Sequence, residues 1–488
     1  MRFSLSRLAL CVSLLHQGSA AHVAVSADKD AVIENRGLVG GLVGGVLGTV
    51  LGLGDVLKQL DQTRDPRAIL DILNGVRPRA TPTSLPEVQE TLQGIYGSAT
   101  PTNLYKNIAL QLGSGLGPLI DDNRDLIIAV LGYGEGEDSV NNPNNPTNVS
   151  RTVYPTAAAG DAPYSLPEAQ LRAAIRIPAA FTFGAKPPVL LVPGTWSYGG
   201  SVYGPNLRKL LTDSPHADPV WLNVPGAMAG DAQVNSEYIA YAINYLSAIC
   251  SNSSNSSSDE VKVSVVSFSQ GGLDTQWAFT FWPSTRAVVS NFLPVSPDFH
   301  GTVLVNVLCL SADSDVGLGP CDPAAIQQEY TSHYIATLRA AGGDSAYVPT
   351  TTFYSGLLDE IVQPQHGTGA SAYLLDARGV GVVNVEAQVA CPPASPGAGF
   401  YGHAGMLYHP LTYALVVDAL SNGGPADLGR IDIGEVCSHY AAPGLGLEDV
   451  VATVALIPMA AGLLLSSLDK RLVEPPIMPY ANQPSDRQ

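Results

Sequence analysis

A chain of 488 residues is long enough for one large domain with an extension, or for two domains. Hydrophobic residues make up 45% of the sequence and charged residues only 14%, which indicates a large apolar core and excludes an intrinsically disordered chain. The formal net charge of −18 repels phosphate backbones, so nucleic acid is excluded as an expected partner.

The N-terminus has the composition of a secretory signal peptide. Arg2 and Arg7 make a basic start, Leu8–Leu15 is a short apolar run, and Gly18–Ala20 offers small residues for cleavage. We therefore assign residues 1–20 to a signal peptide and expect a secreted, extracellular protein. The apolar run is too short to span a bilayer.

The next region, residues 21–133, is predicted to be mostly helical. From Gly37 to Leu57 the sequence is apolar, and a glycine at every fourth residue would give a helix a narrow face for close packing. A packed helix is favoured over membrane contact there. We interpret the region as a helical propeptide or a cover. Further helices are predicted over Glu87–Ile95, Asn103–Leu112 and Asp125–Leu131.

Composition changes at residues 134–152, which are rich in Gly, Asn, Pro and acidic residues and are predicted to be a linker. Over residues 153–488, short apolar strands alternate with helical patterns, which indicates an α/β domain with a mainly parallel sheet. Helices are predicted over Asn235–Ile249 and Gly272–Phe281. Strands are predicted over Val189–Val192, Val261–Val266, Phe292–Val295, Thr350–Tyr354 and Val382–Val389.

The apolar stretch Leu447–Leu468 is interrupted by Pro458 and flanked by acidic residues. This pattern favours a buried or active-site-covering pair of helices over a membrane anchor. We therefore expect no stable transmembrane anchor.

A nucleophile elbow is predicted around Ser269. The predicted strand Val261–Val266 runs into the sequence SFSQGG (267–272) and then into a helix, which is the context of the G-x-S-x-G pattern. Such a turn lifts a serine hydroxyl clear of the sheet and leaves the first N–H groups of the helix free to bind an oxyanion. Ser267 stands at the first glycine position of the pattern and Gly271 at the last.

In this topology an acid follows the nucleophile along the chain, and a histidine comes last. Asp359 is assigned as the acid because it lies in a loop after the predicted strand Thr350–Tyr354, with Glu360 as the backup and Asp298 as an alternative. His403 is assigned as the base because it lies in a loop of small residues. Three other histidines also satisfy the order along the chain: His366, His409 and His439.

An oxyanion site needs a second donor besides the N–H of Gln270, and in this topology it comes from the loop after an early strand. Val189–Val192 leads into Pro193-Gly194-Thr195, so Thr195 is predicted to supply an N–H group and a hydroxyl. A serine activated by such a triad forms an acyl-enzyme with an ester. The sequence therefore predicts a serine hydrolase of carboxylic esters that requires no cofactor and no metal.

Removal of the signal peptide leaves five cysteines, so at least one thiol is free or intermolecular. Proximity favours pairing Cys309 with Cys321, and Cys391 with Cys437, which leaves Cys250 unpaired, although sequence does not fix the connectivity. None of them has the spacing of a zinc site. The N-glycosylation pattern occurs at Asn148, Asn252 and Asn255.

Taken together, the segments of residues 155–483 resemble the fungal lipases of the Candida antarctica lipase B type, which are α/β-hydrolases. The segments that carry the resemblance are LLVPGT (190–195), QVNSEY (233–238), SFSQGGLDTQWAFTFWPSTR (267–286), SPDFHGTVL (296–304), VPTTTFYSGLLDEIVQPQ (348–365), GHAG (402–405) and MPYA (478–481). The resemblance implies a lipase that also carries out transesterification. Residues 22–150 have no assigned counterpart in that family.

The resemblance also implies residue roles. Ser269, Asp359 and His403 match its catalytic triad, Thr195 and Gln270 its oxyanion donors. Asp298 matches an auxiliary acid near the nucleophile. The bridge Cys391–Cys437 carries over from the family.

The sequence departs from the family pattern at several positions. Phe268 stands beside the nucleophile where the family has tryptophan, which leaves the stereopreference open. Gly402 replaces an acidic residue before the histidine, and Val220 and Val473 replace a pair of crosslinked cysteines. The stretch 304–325 is longer than in the family and predicts a lid stapled by Cys309 and Cys321.

The expected substrate is a lipid ester with long apolar chains, such as triacylglycerol. We expect the enzyme to bind it at a lipid–water interface. Two alternatives stay open, an esterase for short soluble esters and a non-catalytic binding protein on a hydrolase scaffold. We expect a monomer.

Overall fold

The computed structural model of the chain describes residues 52–97, 104–118, 134–253, 260–305, 309 and 320–482. The predicted signal peptide, most of the glycine-rich segment 37–57 and the predicted helix Asp125–Leu131 lie outside the described residues. Within the described part of the chain, one sheet separates two apolar clusters, and helices pack on both of its faces.

The central sheet contains seven strands in the described part of the chain, in the order β1-β3-β2-β4-β5-β6-β7. Strand β1 is antiparallel to β3, and every other neighbouring pair is parallel. The predicted α/β class with a mainly parallel sheet is therefore confirmed. The strands are β1 Ile175–Arg176, β2 Pro188–Val192, β3 Asp218–Leu222, β4 Val263–Phe268, β5 Val289–Val295, β6 Thr350–Tyr354 and β7 Val382–Glu386.

The central strands are buried on both faces, which explains why they are continuous apolar runs in the sequence. In β2, Leu190 packs into one apolar cluster and Leu191 into the other; Val265 and Val266 of β4 divide in the same way. Strands β2 and β4 are parallel neighbours, so their carboxyl ends lie side by side at one edge of the sheet. Ligands of such sheets bind at this edge.

Four helices form the described part of the N-terminal region, and two of them begin with clear capping signals. Asp65 accepts a hydrogen bond from the N–H of Arg67 at 3.0 Å, and Pro66 occupies the first helical position. Ser84 caps the next helix, with Pro86 in its first turn. The helices are α1 Gly54–Gln62, α2 Pro66–Asn74, α3 Leu85–Tyr96 and α4 Leu104–Gly113.

Thirteen α-helices are described after residue 134. The longest of them, α8, and the helix that follows β4, α9, pack together on one face of the sheet. The helices are α5 Glu168–Ala173, α6 Gly199–Tyr203, α7 Leu207–Thr212, α8 Ala232–Ser253, α9 Gln270–Phe281, α10 Ser284–Ala287, α11 Pro323–Gln327, α12 His333–Ala340, α13 Ala387–Ala390, α14 Pro410–Asn422, α15 Ile433–Val436, α16 Leu447–Val454 and α17 Leu456–Ser466.

The predicted strand Val382–Val389 is wrong at its end, because the strand stops at Glu386 and residues 387–390 form the short helix α13. Both conformations give the same short apolar pattern, so periodicity alone does not separate them. Strands β1 and β3 are absent from the prediction. The first has only two residues, and the second begins with Asp218 and Pro219, which interrupt its apolar run.

The apolar stretch near the C-terminus forms the helix pair α16 and α17, as predicted. By length and composition Leu447–Ser466 could cross a membrane, but 61% of its apolar window is buried inside the protein. Helix α17 packs against α2 and α4 of the N-terminal region. The pair therefore has protein partners on its apolar surface.

The predicted linker segment lies against the outer edge of the sheet. The side-chain amide of Asn142 donates to the carbonyl of Ala173 at 2.8 Å. The amide of Asn145 donates to the carbonyls of Arg172 at 2.9 Å and Ile175 at 2.7 Å. These bonds fix the segment beside β1.

Candidate active site

Ser269 lies in a strained turn between β4 and α9. Its backbone has φ 55° and ψ −132°, a conformation that non-glycine residues rarely adopt. The turn is crowded: a Cβ atom at Gly271 would lie 2.4 Å from the carbonyl oxygen of Pro193 and 2.7 Å from that of Val192. Only glycine fits there, which explains the small residue in the sequence pattern.

The structure brings the three predicted triad residues together. His403 Nε2 lies 2.9 Å from Ser269 Oγ, and His403 Nδ1 lies 2.9 Å from Asp359 Oδ2. Asp359 Oδ1 accepts hydrogen bonds from the backbone N–H groups of Ile361 at 2.9 Å and Val362 at 2.8 Å. These backbone donors fix the carboxylate, and the carboxylate in turn fixes the imidazole.

The three alternative histidines have other partners. His366 is exposed and lies 2.8 Å from Glu386, and His439 is exposed beside Glu435. His409 is buried and accepts a hydrogen bond from the N–H of Leu411 at the start of α14. Burial lowers the pKa of His409 to about 4, so this residue is neutral and has a capping role.

Two further carboxyls lie near the imidazole, that of Asp298 buried and that of Glu360 half-buried. The backup candidate Glu360 accepts a hydrogen bond from the backbone N–H of His403 at 2.8 Å. Asp298, the other alternative, has no hydrogen-bond partner on either carboxyl oxygen among the described residues. Burial raises the pKa of each of these two carboxyls to about 7.

These carboxyls affect the protonation of the imidazole. Burial alone would lower the pKa of His403, but the negative charges of Asp359, Glu360 and Asp298 outweigh burial, and the net pKa is raised. The site therefore stabilises a positive charge on the ring. Such stabilisation is what a general base requires when it takes a proton from a serine.

Gly402, which replaces an acidic residue of the family pattern, contacts Glu360 closely. A Cβ atom at position 402 would lie 2.4 Å from one carboxyl oxygen of Glu360. Glycine thus makes room for the carboxyl that holds the backbone of His403. From the sequence, Glu360 was only the backup for Asp359. Its hydrogen bond with the backbone of His403 joins two loops that are distant in the chain, so no local pattern indicated it.

The two predicted oxyanion donors are joined by a third residue that the sequence did not indicate. The hydroxyl of Thr195 donates to Gln270 Oε1 at 2.6 Å, and Gln328 Nε2 donates to Thr195 Oγ1 at 3.0 Å and to Gln270 Oε1 at 3.1 Å. Gln328 follows α11 and is buried. It holds the loop after β2 against the start of α9.

Gln270 is also fixed from the other side of its side chain. Its amide donates to Asp274 at 2.9 Å, and the hydroxyl of Tyr334 donates to the same carboxyl at 3.1 Å. Burial raises the pKa of Asp274 well above its ordinary value. This buried network orients the residue that begins α9.

A cavity leads to Ser269 and His403. Its walls are mostly apolar and include Phe268, whose ring centre lies 4.8 Å from that of His403. Residues of α17 supply another wall through Ile457, Ala461 and Leu464. The arrangement presents a hydroxyl to an apolar substrate.

No protein-family model matches the chain. Lipase B of Pseudozyma antarctica is 35% identical over 327 residues, which is 66% of this chain and 86% of that protein. The chain belongs to the lipase B family of fungal lipases. The crystal structure of Aspergillus fumigatus lipase B has a TM-score of 0.75 and 41% sequence identity, and the match covers 90% of this chain and 99% of that one.

This chain is therefore a lipase, a carboxylic-ester hydrolase with the α/β-hydrolase fold, as the sequence predicted. The match to the Aspergillus fumigatus structure covers 90% of this lipase and so extends beyond residues 155–483. Part of the N-terminal region, for which the sequence offered no counterpart, thus aligns with a solved relative.

Two disulfides form in the described part of this lipase, with the pairings that proximity favoured. Cys309 bonds with Cys321, and Cys391 bonds with Cys437. Cys250 is a free thiol buried in α8, and burial raises its pKa to about 12. Its position makes it a packing residue rather than a reactive one.

The predicted glycosylation sites and the predicted lid lie only partly within the described residues. The side chain of Asn148 is exposed. Asn252 lies near the end of α8, but its side chain and all of Asn255 are outside the described residues. Most of the predicted lid at 304–325 is also outside them. In the part of the lipase that is described, no group of three or more His, Cys, Asp or Glu side chains is arranged to hold a metal.

Proposed function

We propose that this lipase is a secreted enzyme that hydrolyses lipid esters, such as triacylglycerol, through an acyl-enzyme formed on Ser269. His403 acts as the base and Asp359 orients it. The observation that carries the proposal is the continuous hydrogen-bond chain from Ser269 Oγ through the imidazole to Asp359, at the end of an apolar cavity.

In the first half-reaction, Ser269 Oγ attacks the ester carbonyl carbon while its proton moves to His403 Nε2. The carbonyl oxygen becomes an oxyanion, which the N–H groups of Thr195 and Gln270 stabilise. The bond to the alcohol oxygen then breaks, and His403 gives its proton to that oxygen. An acyl-enzyme and a free alcohol result.

In the second half-reaction, water attacks the acyl-enzyme and gives a proton to His403. The bond to Ser269 Oγ breaks, the carboxylic acid leaves, and the imidazole returns its proton to the serine. A second alcohol in place of water gives a new ester by the same steps. Transesterification therefore needs no further residue.

The apolar walls of the cavity favour a lipid ester as the substrate, because burial of each CH₂ group contributes about 0.8 kcal/mol to binding. Activity measured across the solubility limit of a triacylglycerol tests this. A rise in rate only above the limit supports a lipase that acts at an interface. Saturation below the limit would instead identify an esterase for short soluble esters.

Secretion is supported by the basic and apolar N-terminus and by the two disulfides, which persist in oxidising compartments. We propose that residues 1–20 are removed during export and that the hydrolase domain spans residues 153–488. N-terminal sequencing of protein recovered from the culture medium tests the first point. A mature chain that retains Met1 would refute it.

The variant Ser269→Ala tests the assignment of the nucleophile. We expect hydrolysis of a p-nitrophenyl ester to fall by roughly 10⁴-fold or more, since one missing triad member removes most of the catalysis. Ser267→Ala is the matched control, because it removes a buried hydroxyl from the same segment. Circular dichroism checks the fold of both variants. Undiminished activity of folded Ser269→Ala would refute the assignment.

A further inference from the structure

The N-terminal helices reach the cavity that leads to Ser269. Leu104 and Tyr105, the first two residues of α4, line the same cavity as Ser269 and His403. Both side chains are buried, with exposed fractions of 4% and 3%. A region predicted from sequence as a propeptide or cover thus supplies side chains to the cavity wall.

The cavity stays open with these helices in position. Leu104 and Tyr105 line this cavity together with Ser269, His403 and residues of α17, so they border the space rather than fill it. A segment that blocks a site would occupy the volume where the substrate binds. The arrangement is that of a wall.

A buried polar contact fixes α4 to the hydrolase domain. The side-chain amide of Gln111 donates to the carbonyl of Val454, the last residue of α16, at 2.9 Å and to that of Leu116 at 3.0 Å. Its oxygen accepts a hydrogen bond from the hydroxyl of Tyr96 at 2.7 Å. Gln111 is 1% exposed, so withdrawal of α4 would break bonds in an apolar setting, where unpaired groups are costly.

A second contact joins the region to the loop of His403. Leu92 and Tyr96 of α3, together with Gln111, surround a small cavity with Glu360 and Gly402. Glu360 is the residue that accepts the backbone N–H of His403. The N-terminal helices therefore border both the substrate cavity and the space beside Glu360.

Apolar packing makes the association extensive. Ile69, Leu73 and Ile108 of the N-terminal helices are almost completely buried in the same cluster as Phe268 and Leu464. Burial of apolar side chains of this size stabilises the association, because it removes their surface from water. Release of the helices would expose such side chains on both surfaces.

We propose that helices α1–α4 stay attached to the hydrolase domain, that α4 is a permanent wall of the substrate cavity, and that Leu104 and Tyr105 determine which apolar chain of the ester fits. The inference rests on the proposed function, because it requires that the ester reacts at Ser269. The ligand is the apolar chain of an ester, either its acyl chain or its alkyl chain.

Substitutions at Leu104 in the full-length protein test the proposal. Leu104→Trp reduces the space in the cavity and Leu104→Ala enlarges it, whereas Gln93→Trp adds the same indole to an exposed position of α3 and is the control. The rate constant kcat/KM is measured on two series, p-nitrophenyl esters from acetate to palmitate and butyrate esters from methyl to octyl. Thermal unfolding of each variant checks the fold.

We expect the ratio of kcat/KM for the longest ester to that for the shortest to fall roughly tenfold in Leu104→Trp in one of the two series, as for a pocket that loses about one methylene of space. Leu104→Ala should shift the ratio in the opposite direction, and Gln93→Trp should match the unmodified chain. The series that shifts identifies the chain that contacts Leu104.

Two results would overturn the proposal. One is a ratio unchanged in both series for folded Leu104→Trp and Leu104→Ala. The other is active protein whose intact mass lacks residues 54–113. Undiminished ester hydrolysis by folded Ser269→Ala would instead refute the proposed function, so the two failures are distinguishable.

Discussion

Replacement of Asp298 by asparagine tests how the buried carboxyl of Asp298, beside the imidazole, affects the free energy of unfolding. Burial raises the pKa of Asp298 from an ordinary value near 3.8 to about 7, and neither oxygen has a hydrogen-bond partner among the described residues. One pKa unit corresponds to about 1.4 kcal/mol. The ionised carboxylate therefore lowers the free energy of unfolding by roughly 4 kcal/mol.

The sign of the pH dependence follows from these values. Below pH 3.8 the carboxyl of Asp298 is protonated in the folded and the unfolded chain, so it adds no penalty. As the pH rises towards 7, the carboxyl of Asp298 keeps its proton in the folded chain but loses it in the unfolded chain, so the free energy of unfolding falls. Above about pH 7 the penalty is complete. Asparagine carries no such proton, so Asp298→Asn should gain stability relative to the unmodified chain across this window.

Urea denaturation at pH 4 and at pH 8, with the disulfides intact, measures the difference. We expect the unfolding free energy of Asp298→Asn minus that of the unmodified chain to be several kcal/mol larger at pH 8 than at pH 4. Asp213→Asn reports the effect of the same substitution on an exposed carboxyl. A difference for Asp298→Asn that does not change with pH would refute the reasoning.

Three further substitutions test the site. Gly271→Ala forces a Cβ atom to within 2.4 Å of a carbonyl oxygen, so we expect a loss of roughly 1–3 kcal/mol in thermal stability assays and of most ester hydrolysis. Gln328→Ala removes the amide that joins Thr195 to Gln270, and should lower kcat roughly tenfold with a smaller change in KM. Glu360→Gln removes a negative charge that raises the pKa of His403, so the acidic limb of the pH profile of kcat/KM should move to lower pH; an unmoved limb would contradict this.

The main strands and the turn at Ser269 could be predicted because their sequence patterns are local. Strand β4 is an apolar run buried on both faces, and Ser269 follows it directly in a turn where small residues are required. The order of acid and histidine along the chain then restricted the choice of partners. Chain order is preserved within a fold, so Asp359 and His403 could be selected before their distance was known.

Contacts between segments that are distant in the chain could not be predicted from the sequence. Gln328 meets Thr195 across 133 residues, and Glu360 meets the N–H of His403 across 43. No periodic pattern relates such positions. The same holds for Leu104, whose place in the cavity depends on how α4 packs against α17. Residues that position the site therefore had to be found in the structure.

The most direct test of the central claim is to label the protein with an active-serine phosphonate and to map the modified residue by mass spectrometry. The account predicts one label per chain, on Ser269, and a much slower reaction in His403→Ala because the hydroxyl then lacks its base. A label on a different residue, or labelling of Ser269 at an unchanged rate in folded His403→Ala, would contradict it.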